Sequence, residues 1–411
     1  MTRRVVITGL GTVNPLSSDV SRYWEGLCAG KSGVGLIEQF DTSAHSVKIG
    51  GEVKGFDPKV VLEHKTARHL DRFAQFAMVA AHYAVADSGL DFSKEDPFRC
   101  GVILGSGIGG MTEFEEQHTN FMKGGPRRVS PFVVPKMIVN SASGNVSIHF
   151  GLQGPNTAVA TACASGAHAV GDAMRAIQCD HADVIVSGGA EAGMTPMGVS
   201  GFIQARALSQ RNDSPTTASR PFDRDRDGFV LGEGAGILIL EELEHARKRG
   251  AKIYAELLGT GNTADAHHIT APHPEGVGAA MAMRLALRDA KLNPEDIQYV
   301  NAHGTSTELG DAAETRALKR VFGEHARKLA ISSTKSMIGH LLGASGGVEL
   351  IATAMTIKHG VVHPTINLDN PDPDCDLDYV PKVARERRVR RAISNSFGFG
   401  GHNCCLVVGA L

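Results

Sequence analysis

A chain of 411 residues, 42% of them hydrophobic, can build two or three ordinary domains or one large core, so size sets no bar to an enclosed active site. Its 42 basic and 44 acidic residues nearly cancel to −2, which excludes any bulk attraction to nucleic acid or an anionic membrane; a charged partner must meet a local patch. Seven cysteines, odd in number and without C-x-x-C spacing, argue against a zinc site or disulfide framework and fit reduced thiols in a cytoplasm.

From the N-terminus, residues 1–10 form an apolar strand pattern after two arginines. Gly9 and Gly11 break it too soon for a secretory or membrane-spanning segment, so the chain reads as untargeted, soluble and cytoplasmic. Five β-branched runs follow one another in the first half, at 5–8, 102–104, 157–160, 184–187 and 237–240. Five more lie at 253–258, 297–301, 329–332, 392–394 and 404–408 in the second. Helical periodicity falls between them at 74–87, 164–177, 276–290, 310–322 and 343–357. This alternation predicts an α/β fold with largely parallel sheets and helices on their faces. The Gly-Leu-Gly-Thr that ends the first strand is echoed by Gly-Thr-Gly-Asn in the strand near 255. A strand leading through small residues into a helix occurs near both 157 and 330, which suggests an internal duplication. Segments rich in Pro, Asp and Asn at 211–227 and 367–381 read as long loops, and the basic run 385–391 as a solvated edge.

The first chemical motif, Gly-Ser-Gly-Ile-Gly-Gly at 105–110, formally matches a dinucleotide loop. No acidic residue stands about 20 positions on to hold a ribose, so a backbone approach to a packed pocket, with Ile108 facing it, is the better reading. Cys163 stands in Thr-Ala-Cys-Ala-Ser-Gly-Ala-His at 161–168, on a strand-to-helix turn. There the unpaired N–H groups favour a thiolate and can hold a thioester oxyanion. A small buried core cysteine is the bland alternative. His303 follows a strand in Asn-Ala-His-Gly-Thr-Ser-Thr, with Asp311 at the start of the next helix, and His340 closes Lys-Ser-Met-Ile-Gly-His after another strand. Parallel α/β sheets place their sites at such strand ends. Two neutral imidazole N–H groups suit an enolate oxyanion, whereas a cysteine hydrolase needs one histidine base with an orienting Asn or Asp. Glu349 on an apolar helix needs a buried partner, for which Lys335 is the candidate. Near the end, Asn-Ser-Phe-Gly-Phe-Gly-Gly-His-Asn at 395–403 could be a plain hairpin. Its two phenylalanines make Phe399 a candidate gate and its N–H a second oxyanion donor.

These motifs, spread from residue 5 to 408, resemble the β-ketoacyl-(acyl carrier protein) synthases, most closely the type II synthases (KAS II) of fatty acid synthesis. The resemblance implies the thiolase-like fold, a five-layer αβαβα duplication of two mixed five-stranded sheets. Residues 1–251 would carry the nucleophilic cysteine and residues 252–411 the two histidines. It implies a homodimer and a ping-pong reaction that elongates an acyl group on Cys163 by decarboxylative condensation with malonyl carrier protein. Lys335, Glu349 and Phe399 would complete the catalytic set. Ile108, Thr270, Thr305, Thr307 and Asp311 would contact substrate, and Lys65, Arg68, Arg127, Arg128 and Arg206 would dock acyl carrier protein. No cofactor or metal centre is implied, since phosphopantetheine arrives on the carrier; a structural monovalent cation near Asn301 and Glu349 is left open. His402 stands where the family usually has threonine, which bears on the polarity of the gating loop. A type II polyketide ketosynthase, or a type I β-ketoacyl synthase of different chain-length preference, remains an alternative.

Overall fold

The computed structural model describes residues 3–411. Its main sheet contains β1 (Val5–Val13), β2 (Cys100–Gly105), β3 (Asn156–Val159), β4 (Val184–Glu191), β5 (Gly234–Glu242), β6 (Ala255–Ala264), β7 (Tyr299–Asn301), β8 (Ala330–Ser332), β9 (Arg391–Gly398) and β10 (His402–Gly409). Each falls on one of the β-branched runs. Five helices pack on these strands where the periodicity places them: α1 (Arg72–Ser88), α2 (Ser165–Gln178), α3 (Val277–Ala290), α4 (Glu308–Phe322) and α5 (Ser345–His359). Three further helices between β2 and β3, Met111–Gly124, Val133–Met137 and Ser141–Phe150, were not expected. The first is mostly polar and the second is a single turn, so apolar periodicity gives little sign of them.

The order across the sheet is β8-β7-β9-β10-β6-β1-β5-β4-β2-β3, so each strand of the first half has its counterpart five strands later at the mirrored place. The expected duplication is therefore built into the topology. Two expectations need correction. The halves are mixed, as the family resemblance implies, rather than largely parallel as the alternation alone suggests: β3, β2 and β4 run parallel, as do β8, β7 and β9, whereas β4-β5-β1 and β9-β10-β6 pair antiparallel. One cause is visible at β9 and β10, which follow each other through a tight turn and so must run in opposite directions. Nor are the five-stranded sets separate, because β1 pairs with β6 along three residues, Val5–Ile7 against Ala255–Leu257.

Helices α2 and α5 pack together in the middle and touch strands of both halves; α1 covers β1, β5 and β4, and α3, with α4 beside it, covers β6 and β10. That is the five-layer αβαβα arrangement. Its central strands are buried on both faces: in β5, Leu238 and Leu240 enter the middle core while Ile237 and Ile239 enter the core under α1. Continuous apolar runs are what such strands require. The echoed glycines also have a cause. A Cβ at Gly9 or Gly11 would lie 2.2 or 2.0 Å from carbonyl oxygens of α1, and one at Gly261 would lie 2.1 Å from a carbonyl oxygen of α3, so both outer helices rest directly on strand backbone. Among the described residues no helix is long and apolar enough to cross a membrane.

Candidate active site

Cys163, His303, His340 and Phe399 line one cavity of about 390 Å³, with exposed Arg206 and Thr270 at its outer end. Four distant segments meet there because each leaves a strand at the same edge. After β3 the chain makes a turn in which Ala162 adopts φ +50°, and Cys163 then precedes α2. Ser165 Oγ fixes this turn, accepting from Thr161 N at 2.8 Å and donating to Ala162 O at 2.6 Å. His303 lies two residues beyond β7. Its loop is held by Glu314 of α4, which accepts the N–H groups of His303 and Gly304 at 2.9 and 2.8 Å. His340 follows the short helix Lys335–Ile338, and Phe399 forms the tip between β9 and β10. A roomier cleft of about 550 Å³, lined by Ser17, Tyr83, Asp87 and Lys358, contains no cysteine and no pair of buried imidazoles, so chemistry rather than volume selects the site.

The imidazoles lie edge to face with centroids 5.3 Å apart. Their tautomers follow from their partners. The Lys335 ammonium, which can only donate, stands 3.5 Å from His303 Nδ1. Ser345 Oγ accepts from Leu341 N at 3.1 Å and lies 3.0 Å from His340 Nδ1, to which its hydroxyl can donate. With Nδ1 so engaged in each ring, the proton is assigned to Nε2; His340 Nε2 has no partner among the described residues. Burial, and the positive charge of Lys335, hold both imidazoles well below their ordinary pKa and thus neutral.

Lys335 itself is buried and bonds to the equally buried Glu349, as the apolar setting of Glu349 required. Burial pushes the Glu349 carboxyl up and Lys335 draws it back. Losing either partner would strand a charge in the core at a cost of about 3–5 kcal/mol. Neither side chain reaches the cavity; the pair holds His303 from behind.

At the sulfur, burial pushes the Cys163 thiol up to about 12, while Lys335 and the backbone N–H groups of Phe399 and Cys163 favour the thiolate, as the strand-to-helix turn was expected to do. The same two N–H groups are placed to receive an oxyanion. Thr305 and Thr307 line the cavity as expected, their hydroxyls 2.9 Å apart. Asp311 does not. Fully buried, it accepts from Ser306 N and Phe222 N and lies 3.6 Å from Arg226, so it braces the threonine loop instead of meeting substrate; burial raises its pKa to about 7. Ile108 is half-buried in the apolar cluster around Cys163 and not on the open cavity. Lys65, Arg68, Arg127 and Arg128 are exposed, and none of them has an acidic partner among the described residues. His402 faces His168, with centroids 6.4 Å apart, and packs against Gly400 of the gating loop. Glu314 and Ser345 escaped the sequence reading. The signal that found Glu349, a carboxylate among apolar helix residues, was weaker at Glu314, which has Ala312 and Ala313 before it but Arg316 and Lys319 after it.

Comparisons with known proteins agree with this geometry. Residues 2–246 match the profile described as Beta-ketoacyl synthase, N-terminal domain, and residues 254–369 match the C-terminal domain. A 3-oxoacyl-(acyl-carrier-protein) synthase 2 of Synechocystis sp. is 53% identical over 404 residues, covering 98% of this chain and 97% of its own. The protein so named in Coxiella burnetii is 52% identical over 406 residues, covering 99% and 98%. Among solved structures, a β-ketoacyl synthase from Burkholderia phymatum superposes with a TM-score of 0.93 at 38% identity. A ketosynthase complexed with its type II polyketide acyl carrier protein gives 0.93 at 36%; each match covers 100% of both chains.

Proposed function

Because the chain belongs to the β-ketoacyl synthase family, we propose that this cavity carries out decarboxylative Claisen condensation, lengthening a fatty acyl chain by two carbons. The observation that carries the reading is the pair of neutral imidazoles, each engaged at Nδ1, that line the cavity also holding the Cys163 thiol. A hydrolase would need a ring nitrogen free to take the thiol proton. With Nδ1 facing Lys335 in one ring and Ser345 in the other, the Nε2 atoms are left to donate to an oxyanion.

In the first half-reaction the Cys163 sulfur adds to the carbonyl of an acyl carrier protein thioester. The oxyanion is held by the N–H groups of Cys163 and Phe399. Collapse expels the phosphopantetheine thiolate, which leaves with the proton given up by Cys163. Malonyl carrier protein then enters past Thr270, Thr305 and Thr307. Its terminal carbon–carbon bond breaks, carbon dioxide leaves, and the electron pair forms an enolate whose oxygen is held by His303 and His340. The enolate carbon attacks the acyl carbonyl; the new bond forms as the bond to sulfur breaks. Phe399, at the hairpin tip, would gate the acyl chain toward Ile108.

Acyl carrier protein is the proposed partner, docking on Lys65, Arg68, Arg127, Arg128 and Arg206: all five are exposed cations, Arg206 lines the cavity, and exposed cations attract an acidic surface. A second copy of the chain fits the outer edge of β3. Among the described residues that strand pairs only with β2, and the helix Ser141–Phe150 that packs beside it carries the exposed Ile148, so a homodimer would cover both the edge and that side chain. The buried oxygens Asn301 Oδ1, Glu349 Oε2 and Ser396 Oγ lack partners among the described residues, and oxygen is the ligand type that a hard cation takes. They would hold a sodium- or potassium-sized cation, which would offset the Glu349 charge.

Purified protein given acyl and malonyl carrier proteins is expected to release carbon dioxide and form a β-ketoacyl thioester; free acid as the sole product would refute the reading. Charge reversal at both Arg127 and Arg128 is expected to weaken carrier-protein binding about 10- to 100-fold at low salt, with the difference shrinking as salt rises. Titration calorimetry at two ionic strengths checks this, and equal affinity at low salt would remove the docking face.

A further inference from the structure

Glu191 closes β4, is fully buried, and has no cationic partner among the described residues. The condensation makes no use of it. Its oxygens accept four donors: Ser106 Oγ at 2.8 Å and the backbone N–H groups of Gly107, Ile108 and Gly343 at 2.7, 3.2 and 3.0 Å. Three of these lie in the run 105–110 that mimics a dinucleotide loop. The mimicry has a physical basis, because the loop is an anion cradle and the anion is the protein's own carboxylate. A Cβ at Gly107 would come within 2.9 Å of Glu191 Oε2, and one at Gly343 within 2.7 Å, so the carboxylate requires glycine at both.

The duplication shows what has been filled. Gly343 occupies in the second half the place of Cys163 in the first. Each follows a residue of positive φ, Leu342 at +47° and Ala162 at +50°, and each precedes Ala-Ser-Gly and a helix. At Cys163 the N–H of the turn faces the cavity. At Gly343 it is taken by Glu191.

We propose that Glu191 is a positioning residue that sets which acyl lengths Cys163 accepts, by clamping the backbone of Ile108 to the turn Leu342–Ala344. The two side chains it governs wall the apolar space behind the sulfur. They share a cluster with Cys163, Met194 and Val199, and their Cδ1 atoms lie 3.2 and 3.5 Å from where a Gly193 side chain would begin. A short acyl chain stops before Ile108. A long one must displace that side chain while its peptide stays fixed; the carboxylate holds the Ile108 N–H directly and, through Ser106 Oγ, the N–H of Gly109. Glutamine would turn an amide donor toward N–H groups that need an acceptor, so the loop would pair elsewhere and close the space.

This inference rests on Cys163 carrying the acyl group, so intact mass of the wild type after incubation with acyl carrier protein comes first. If no acyl adduct forms on Cys163, the condensation reading falls and takes the inference with it. With the adduct present, kcat/KM is measured for short and long saturated acyl donors. Glu191→Gln is expected to lose about tenfold with long donors and less than about twofold with short ones. In an Ile108→Ala background that length bias should vanish, because the side chain being positioned is gone. Equal loss at all lengths, no loss, or a bias that survives Ile108→Ala overturns the proposal while leaving condensation intact. Should Glu191→Gln fail to fold, Ser106→Ala removes one donor to the same carboxylate and must show the same bias in weaker form; its absence there is equally decisive.

Discussion

Replacing Cys163 by alanine should abolish condensation, by at least about 10³-fold, while malonyl carrier protein continues to lose carbon dioxide. The two half-reactions draw on different atoms. Acyl transfer needs the sulfur and the N–H groups of Cys163 and Phe399, whereas the enolate needs the Nε2–H groups of His303 and His340, which belong to the other half of the chain. A methyl group in place of the thiol leaves those donors where they are. Carbon dioxide release and β-ketoacyl product, followed in the same reaction, separate the outcomes. A folded variant that had lost both activities would mean that the sulfur takes part in decarboxylation.

The complementary result is expected from His303→Ala or His340→Ala. Each should lower decarboxylation by about 10²- to 10³-fold, the usual effect of removing one preorganised oxyanion donor, and still allow an acyl adduct to form on Cys163. The pH dependence follows from the direction of the shifts. Both rings are held below the ordinary imidazole pKa of about 6.5, first by burial and then by Lys335, so the neutral Nε2–H form persists as pH falls through that value. Decarboxylation should therefore be flat through the neutral range and down past 6.5, declining only well below it. An acid limb centred near 6.5 in the wild type would contradict this.

How much of this could be read in advance depended on where each signal lies. Strand runs such as 237–240 and 404–408 announce themselves because burial on both faces demands apolar residues at every position. Strand direction does not, since the relevant fact, which runs become neighbours, is settled by packing across the whole chain. Cys163 and His303 were legible because each follows a strand within a few residues, and His340 because it ends a Lys-Ser-Met-Ile-Gly-His run that follows another strand. Asp311 was misplaced for the opposite reason. It stands close in sequence to Thr305 and Thr307, but one turn of α4 carries its carboxylate under the loop toward Phe222 and Arg226. Glu191 was invisible, because it acts on the backbone of Gly343, 152 positions away, and no side chain at that end marks the contact.

The pairing of β1 with β6 has a bearing on how substrates get in. Sulfur and imidazoles come from opposite halves, yet the three-residue pairing of β1 with β6 and the shared layer of α2 and α5 tie those halves together. Clamshell breathing of two lobes would have to break that pairing and part those helices. Admission and release must be the business of small surface segments, the hairpin tip at Phe399 first among them.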